Sequence, residues 1–131
     1  MGLTIGAKLA QPDKVCINFM GDAAFGMVGL DFETAVRSNI PIITVVLNNS
    51  TMAVETTAMA DSHRLYNTRD LGGDYADMGR AMGGYAERIE DTAHIIQAFQ
   101  RARRVTEDEG KAVLLEFINS AETEKSHGRA V

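Results

Sequence analysis

The chain has 131 residues, enough for one domain with one substantial core and too few for two. Apolar residues make up 45% and charged residues 24%, the balance of a soluble globular protein, which excludes a disordered or membrane-embedded class. The net charge of -5 opposes any general attraction to nucleic acid or anionic lipid, so neither is expected as a partner.

Met1 and Gly2 open directly into LTIGAKLA, residues 3–10, which has helical apolar spacing and no capping residue in front. The expectation is a helix in a fold truncated at its N-terminus. The start lacks the charged, apolar and small-residue pattern of a secretory signal, and no stretch reaches the length of a bilayer span. Cys16 is the single cysteine, which excludes a disulfide framework and suits a cytoplasmic setting.

KVCINFM, Lys14 to Met20, is an apolar and β-branched run bounded by Pro12-Asp13 and Gly21-Asp22, and it predicts a buried strand. In residues 26–39, Val28, Phe32, Ala35 and Val36 recur at helical spacing, and Pro41 disfavours helical geometry just before it. One helix is expected there. PIITVVLNN, residues 41–49, has the continuous apolar character of a strand covered on both faces and stops at Asn48-Asn49. Residues 50–73 are irregular and polar, and long for a mere connection, as functional loops often are.

A short helix is predicted from Asp74 and a short strand over YAERI, residues 85–89, with the glycines of MGGYAERIE serving the tight turn between them. DTAHIIQAFQRARRVTEDEG predicts a helix with Asp91 near its start and Gly110 just past its end; its basic run Arg101, Arg103, Arg104 suits a solvated face. Ala112 to Ile118 is the last strand. Residues 120–131 form a polar tail, frayed or part of a partner surface.

Strand and helix alternate throughout, which predicts one α/β domain over 1–131 with a parallel sheet between helices. Ligands of such sheets collect outside the carboxyl ends of the strands. Asp22 follows the first strand and Asn48-Asn49 follow the second, so a right-handed crossover would bring both turns to one edge. A carboxylate and an amide oxygen are hard ligands suited to Mg2+, which gives up water reluctantly and is usually shared with the phosphate oxygens of a ligand. The small residues Ala23 and Ala24 leave backbone N–H groups accessible ahead of a helix, where negative charge is favoured. Two unit charges 4 Å apart interact by about 4 kcal/mol at an effective dielectric near 20, so Asp22 and a diphosphate would repel strongly without a cation between them. Neither turn carries a basic cluster, which leaves the compensation to a metal ion. Taken singly, each turn also has a structural explanation: Gly-Asp is a common turn, and Asn-Asn before Ser-Thr can cap the next segment.

Residues 21–50, GDAAFGMVGLDFETAVRSNIPIITVVLNNS, resemble the diphosphate-binding signature of thiamine-diphosphate-dependent enzymes, which begins with Gly-Asp-Gly or Gly-Asp-Ala and ends in Asn-Asn. The wording is closest to the acetolactate synthase and 2-oxo acid decarboxylase group, and the flanking GLTIGAKLAQPDKVCINFMGD and AVLLEFI agree with it. The resemblance implies the thiamine-diphosphate-binding fold. It implies Mg2+ held by the side chains of Asp22 and Asn49 and the backbone carbonyl of Thr51. Gly21, Ala23 and Ala24 would lie at the diphosphate, with Asn48 supporting the turn. Met52 falls in the segment near the thiazolium ring in relatives, although a methionine is equally good core filling.

Ala53-Val54 stand where acetolactate synthases carry Gly-Met, so the substrate side departs from that group. Glu55 falls where pyruvate-type decarboxylases place a catalytic glutamate that assists proton transfer; burial would raise its pKa and suit it to that role. His63, His94 and His127 have no metal-like spacing.

Implied further are carbon-carbon bond cleavage or formation beside a carbonyl, and partnership with a pyrimidine-binding domain or subunit in a homo-oligomeric full enzyme. Such a chain alone would be inactive and would expose an apolar patch where its partners are missing. Two rival readings are a noncatalytic binding or interaction module on the same scaffold, and a receiver-like domain with Asp22 as phosphate acceptor, which needs further acidic residues near Asp22 and a Lys at another strand end that the strand ends here do not offer.

Overall fold

The computed structural model describes residues 1–55 and 58–122. Most of the polar tail, 123–131, and His127 with it lie outside the described residues. Four strands, β1 (Ile17–Gly21), β2 (Ile43–Asn48), β3 (Tyr85–Ile89) and β4 (Val113–Ile118), form one sheet in the order β1-β2-β4-β3. All three pairings are parallel, with Gly21 opposite Leu47 and Val46 opposite Glu116. Every strand therefore ends at the same rim, as the alternation of elements predicts.

The strands differ in cover, and the cover follows position. The central strands β2 and β4 are buried almost throughout, as continuous apolar runs require. β1 is an edge strand with alternating exposure, and Phe19 is 62% exposed. The fully buried strand expected over Lys14 to Met20 is thus shorter and half open. Its first residues belong instead to a turn that Lys8 Nζ holds by donating to the carbonyls of Pro12 and Lys14 at 2.7 and 2.8 Å.

The described residues form six α-helices: α1 (Gly2–Ala10), α2 (Asp22–Val28), α3 (Asp31–Arg37), α4 (Ala60–Tyr66), α5 (Tyr75–Ala81) and α6 (Ile95–Asp108). One face of the sheet packs Val46 and Leu114 against Phe25, Phe32, Ala35 and Tyr75, with Met1 and Ile5 at the margin. The other face packs Val45, Val113, Leu115 and Phe117 against Ala98, Ala102 and Val105 of α6 alone. A single helix cannot cover four strands. Phe19, Leu47 and Ile118 accordingly stay exposed around an apolar hollow of about 300 Å³, the open patch expected of this chain.

Residues 26–39 form two helices where one was expected, and the first begins at Asp22 itself. Extended Gly21 (φ -74°, ψ 166°) caps its start without a side-chain bond. The joint falls at Gly29, whose α-carbon lies against Phe25: a Cβ there would sit 2.6 Å from both the Phe25 ring and its carbonyl oxygen. The long loop also holds more structure than its composition suggests. It contains a 3-10 turn (Ala53–Glu55), α4, and an antiparallel bridge between Thr51 and Asp70. α4 escapes a periodicity argument because it buries no residue.

Asp74 caps α5 by accepting from the Asp77 N–H at 2.7 Å. Asp91 caps a 3-10 turn (Thr92–His94) that runs into α6, so α6 starts later than its cap suggests. Gly110, at φ +65°, follows its end. No described helix is long and apolar enough to cross a membrane.

Gly84 packs where a Cβ would lie 2.5 Å from the Phe32 ring and 3.2 Å from the Ala112 carbonyl oxygen. Phe32 is fully buried and has nowhere to retreat. Gly84→Ala should therefore destabilise the fold by about 1–3 kcal/mol through overpacking, read as a lower urea midpoint at unchanged slope.

Candidate functional site

The rim where the strands end holds a buried carboxylate with no counter-charge. Asp22, at the first position of α2, is only 3% exposed. Its Oδ1 accepts from the Ala23 N–H at 2.8 Å, and its Oδ2 accepts from the Ser50 N–H at 2.7 Å. The second bond ties the turn after β1 to the turn after β2. Among the described residues no Lys or Arg forms an ion pair with Asp22. A buried carboxylate held only by neutral N–H groups retains lone pairs for a cation.

Ser50 adopts φ +57°, a left-handed conformation that its neighbours over-determine. Asn48 Oδ1 accepts from both the Ser50 N–H and Oγ, at 3.0 and 3.1 Å, so Asn48 supports the turn as expected. Asn49 is half-buried, and its Oδ1 accepts from the Thr51 N–H at 3.0 Å.

Beyond the turn, Leu71 N–H donates to the Ser50 carbonyl and Met52 N–H to the Arg69 carbonyl, at 3.0 and 2.9 Å. These bonds flank the Thr51–Asp70 pair without using it. In that antiparallel pattern both backbone groups of Thr51 face away from residue 70, so its carbonyl turns to the side on which its N–H meets Asn49. The Asp22 and Thr51 segments and Asn49 are thus gathered at one rim. Their donor set, one carboxylate with amide and carbonyl oxygens, fits a hard divalent cation. Among the described residues no group of three or more His, Cys, Asp or Glu could hold a metal, so a His- or Cys-based site has no candidate.

The other expected residues surround this centre. Gly21 and Ala24 are exposed and Ala23 half-buried, so the first turn of α2 is little covered by side chains. Its leading N–H groups have no acceptor one turn back; Ala23 gives its own to Asp22. Met52 is half-buried and lies against residue 69. Glu55 ends the 3-10 turn and is exposed. His63 and His94 stand on separate elements, in α4 and the 3-10 turn before α6.

Two residues beneath the rim escaped the sequence reading. Glu116 is fully buried in β4; it accepts from Asn48 Nδ2 at 2.6 Å and from the Ala76 N–H at 2.9 Å, with Arg88 Nη1 at 3.4 Å. Its only sequence signal is a charge inside the apolar run AVLLEFI. Tyr75 packs edge-on to Phe25, with ring centroids 5.4 Å apart. Burial first, then the negative fields of Asp22 and Glu116, raise its phenol above the ordinary pKa.

Comparison with known proteins identifies the family of the chain. The family model described as "Thiamine pyrophosphate enzyme, C-terminal TPP binding domain" matches residues 1–117. The chain is 32% identical over 123 residues to a sulfoacetaldehyde acetyltransferase of Alcaligenes xylosoxydans xylosoxydans, covering 90% of this chain and 20% of that protein. It is also 32% identical over 103 residues to a probable acetolactate synthase of Mycobacterium bovis, covering 77% of this chain and 19% of that protein. Among solved structures, a thiamine diphosphate-dependent 4-hydroxybenzoylformate decarboxylase of Rhodococcus jostii RHA1 superposes with a TM-score of 0.72. That match has 21% identity and covers 92% of this chain and 23% of the other. The chain therefore spans about a fifth of the length of the curated relatives it matches.

Because the fold raises the pKa of Tyr75, the neutral phenol is the favoured form. Its contribution to stability is complete below the unfolded value of about 10 and is lost as pH rises through the folded value. In a Tyr66→Phe, Tyr85→Phe background the remaining phenol should titrate above 10 by ultraviolet absorbance. Asp22→Asn should bring it only part of the way back, since burial is the larger cause. Ionisation at or below 10 in the unaltered site would contradict the placement of Tyr75 beside two carboxylates.

Proposed function

The chain belongs to the family of C-terminal thiamine pyrophosphate-binding domains of thiamine pyrophosphate enzymes, and on that premise we propose that it holds the cofactor's diphosphate through Mg2+. The observation that carries this reading is the bond from Ser50 N–H to Asp22 Oδ2, which brings both halves of the signature to one rim around a buried, charge-unpaired carboxylate.

In this reading Asp22 and Asn49 bind Mg2+ through side-chain oxygens and Thr51 through its backbone carbonyl. Asp22 would hold the ion while keeping its Ser50 bond, and Asn49 would offer the oxygen that here accepts from the Thr51 N–H. Exposed Gly21 and Ala24 would leave room for the phosphates, and the Ala23 N–H, which here donates to Asp22, would be a donor for a phosphate oxygen. The ion would remove the repulsion between Asp22 and the diphosphate, and among the described residues no Lys or Arg is ion-paired with Asp22 to do so.

Thiamine diphosphate, when bound, would supply the nucleophile and the electron sink for chemistry at a 2-oxo acid. This chain supplies position and charge. Met52 borders the ring side of the cofactor. Glu55, exposed here, would serve as the proton-transfer residue once a partner covers it.

The whole enzyme is then a cytoplasmic, homo-oligomeric decarboxylase or carboligase in which a pyrimidine-binding domain or subunit completes the site, and the isolated chain is inactive. The uncovered face around Phe19, Leu47 and Ile118 supports such a partner. The alternative, a noncatalytic interaction module on this scaffold, predicts no Mg2+-dependent binding of the cofactor.

Calorimetry with thiamine diphosphate should detect binding only with Mg2+ present, and a chelator should abolish it. Loss of an outer partner of a metal ligand typically costs about 10–100-fold in affinity, so Asp22→Ala, which removes a ligand itself, should weaken binding by at least about a hundredfold. Tight binding without metal, or binding unchanged in Asp22→Ala, would contradict the reading.

A further inference from the structure

β4 carries a fully buried carboxylate among apolar residues, and nothing in the proposed metal chemistry uses it. Among the described residues every hydrogen-bond partner of Glu116 is a donor: Asn48 Nδ2 at 2.6 Å, the Ala76 N–H at 2.9 Å and Arg88 Nη1 at 3.4 Å. An acceptor-only group is what such surroundings require. Arg88 is the most distant of the three and is itself paired with Glu90 at 2.9 Å, so charge neutralisation alone does not explain Glu116.

The consequence lies in the Asn48 amide, which has one accepting and one donating end. Glu116 can only accept, so it draws the Nδ2 end, and Oδ1 must then face the other way. There Oδ1 accepts from both Ser50 N–H and Ser50 Oγ. The same Ser50 N–H reaches Asp22 Oδ2 at 2.7 Å. Donor and acceptor thus alternate without a break from Glu116 through Asn48 and Ser50 to Asp22.

We propose that Glu116 is a positioning residue for the metal site: it fixes the orientation of the Asn48 amide, which holds the Ser50 turn in place over Asp22. The functional part of this inference rests on the Mg2+ reading above; the structural part does not. Glu116→Gln changes a single oxygen to an amide nitrogen. The Ala76 N–H still needs an acceptor, so the new NH2 group falls opposite Asn48 Nδ2 and sets donor against donor. An Asn48 flip relieves that clash but turns Nδ2 onto the Ser50 N–H. Either way one link is broken, and buried polar groups left unpaired are costly. Asn48→Asp alone sets two carboxylates against each other. The pair Asn48→Asp with Glu116→Gln restores the alternation at the same net charge.

The test is this double-mutant cycle, followed by two measurements on the same samples. The first is hydrogen exchange at the Ser50 amide in metal-free protein, which does not depend on any cofactor. The second is Mn2+ affinity with thiamine diphosphate present. Glu116→Gln should lose Ser50 protection and weaken Mn2+ binding by about 10–100-fold, the usual cost of an outer-partner loss. Asn48→Asp should be impaired likewise, and the double variant should recover both properties relative to either single change.

A merely structural Glu116 would not predict that recovery. Unchanged Ser50 protection in Glu116→Gln, or a double variant no better than the singles, overturns the proposal. Should a single variant fail to fold, restored folding and Ser50 protection in the double variant support the relay, and a double variant that also fails overturns it. If the unaltered protein binds no Mn2+ and cofactor, the Mg2+ reading fails and the exchange measurement alone decides the relay.

Discussion

The hydrogen bond from the Ser50 N–H to Asp22 Oδ2 is the constraint on which the site depends. Asp22 and Ser50 lie 28 residues apart, on turns after different strands. The parallel pairing of β1 with β2 places Gly21 level with Leu47, so both turns leave the sheet at the same height. The bond closes the remaining gap. Without it the carboxylate would be buried and the next turn free to move, and neither would define a place for an ion.

This constraint orders the rest of the molecule. Asp22 is held down by α2, whose Phe25 packs edge-on to Tyr75 of α5, and α5 presents the Ala76 N–H to Glu116. The apolar core and the polar network beneath the rim are therefore contiguous. The opposite face is different: α6 covers β2, β3 and β4 but leaves Phe19 of β1 largely in solvent. The chain spans about a fifth of the length of its curated relatives, and the open apolar face is where the proposed partner domain or subunit would pack.

Much of this was legible in the sequence, for local reasons. The strand ends at Asp22 and Asn48-Asn49 converge because parallel strands share a rim, and caps such as Asp74 act on their own neighbours. What was not legible depends on distant partners. Glu116 looks like a stray charge until Ala76 and Asn48, 40 and 68 residues away, come to face it. The break at Gly29 depends on how closely the Phe25 ring approaches, and periodicity through residues 26–39 cannot register that. The edge position of β1 is a property of the sheet, since its apolar composition matches that of a central strand. Within the site, Asp22 accepts from the Ser50 N–H, and Asn48 accepts from the Ser50 N–H and hydroxyl.

The central claim is that one hard cation bridges the two turns and a diphosphate. A crystal structure of the chain grown with thiamine diphosphate and Mn2+, located by its anomalous signal, tests it most directly. The account predicts a single ion bound by the Asp22 carboxylate, the Asn49 side-chain oxygen, the Thr51 carbonyl and the diphosphate, at distances of about 2.0–2.2 Å. An ion elsewhere, or a diphosphate seated on Lys or Arg side chains with Asp22 unengaged, would contradict it.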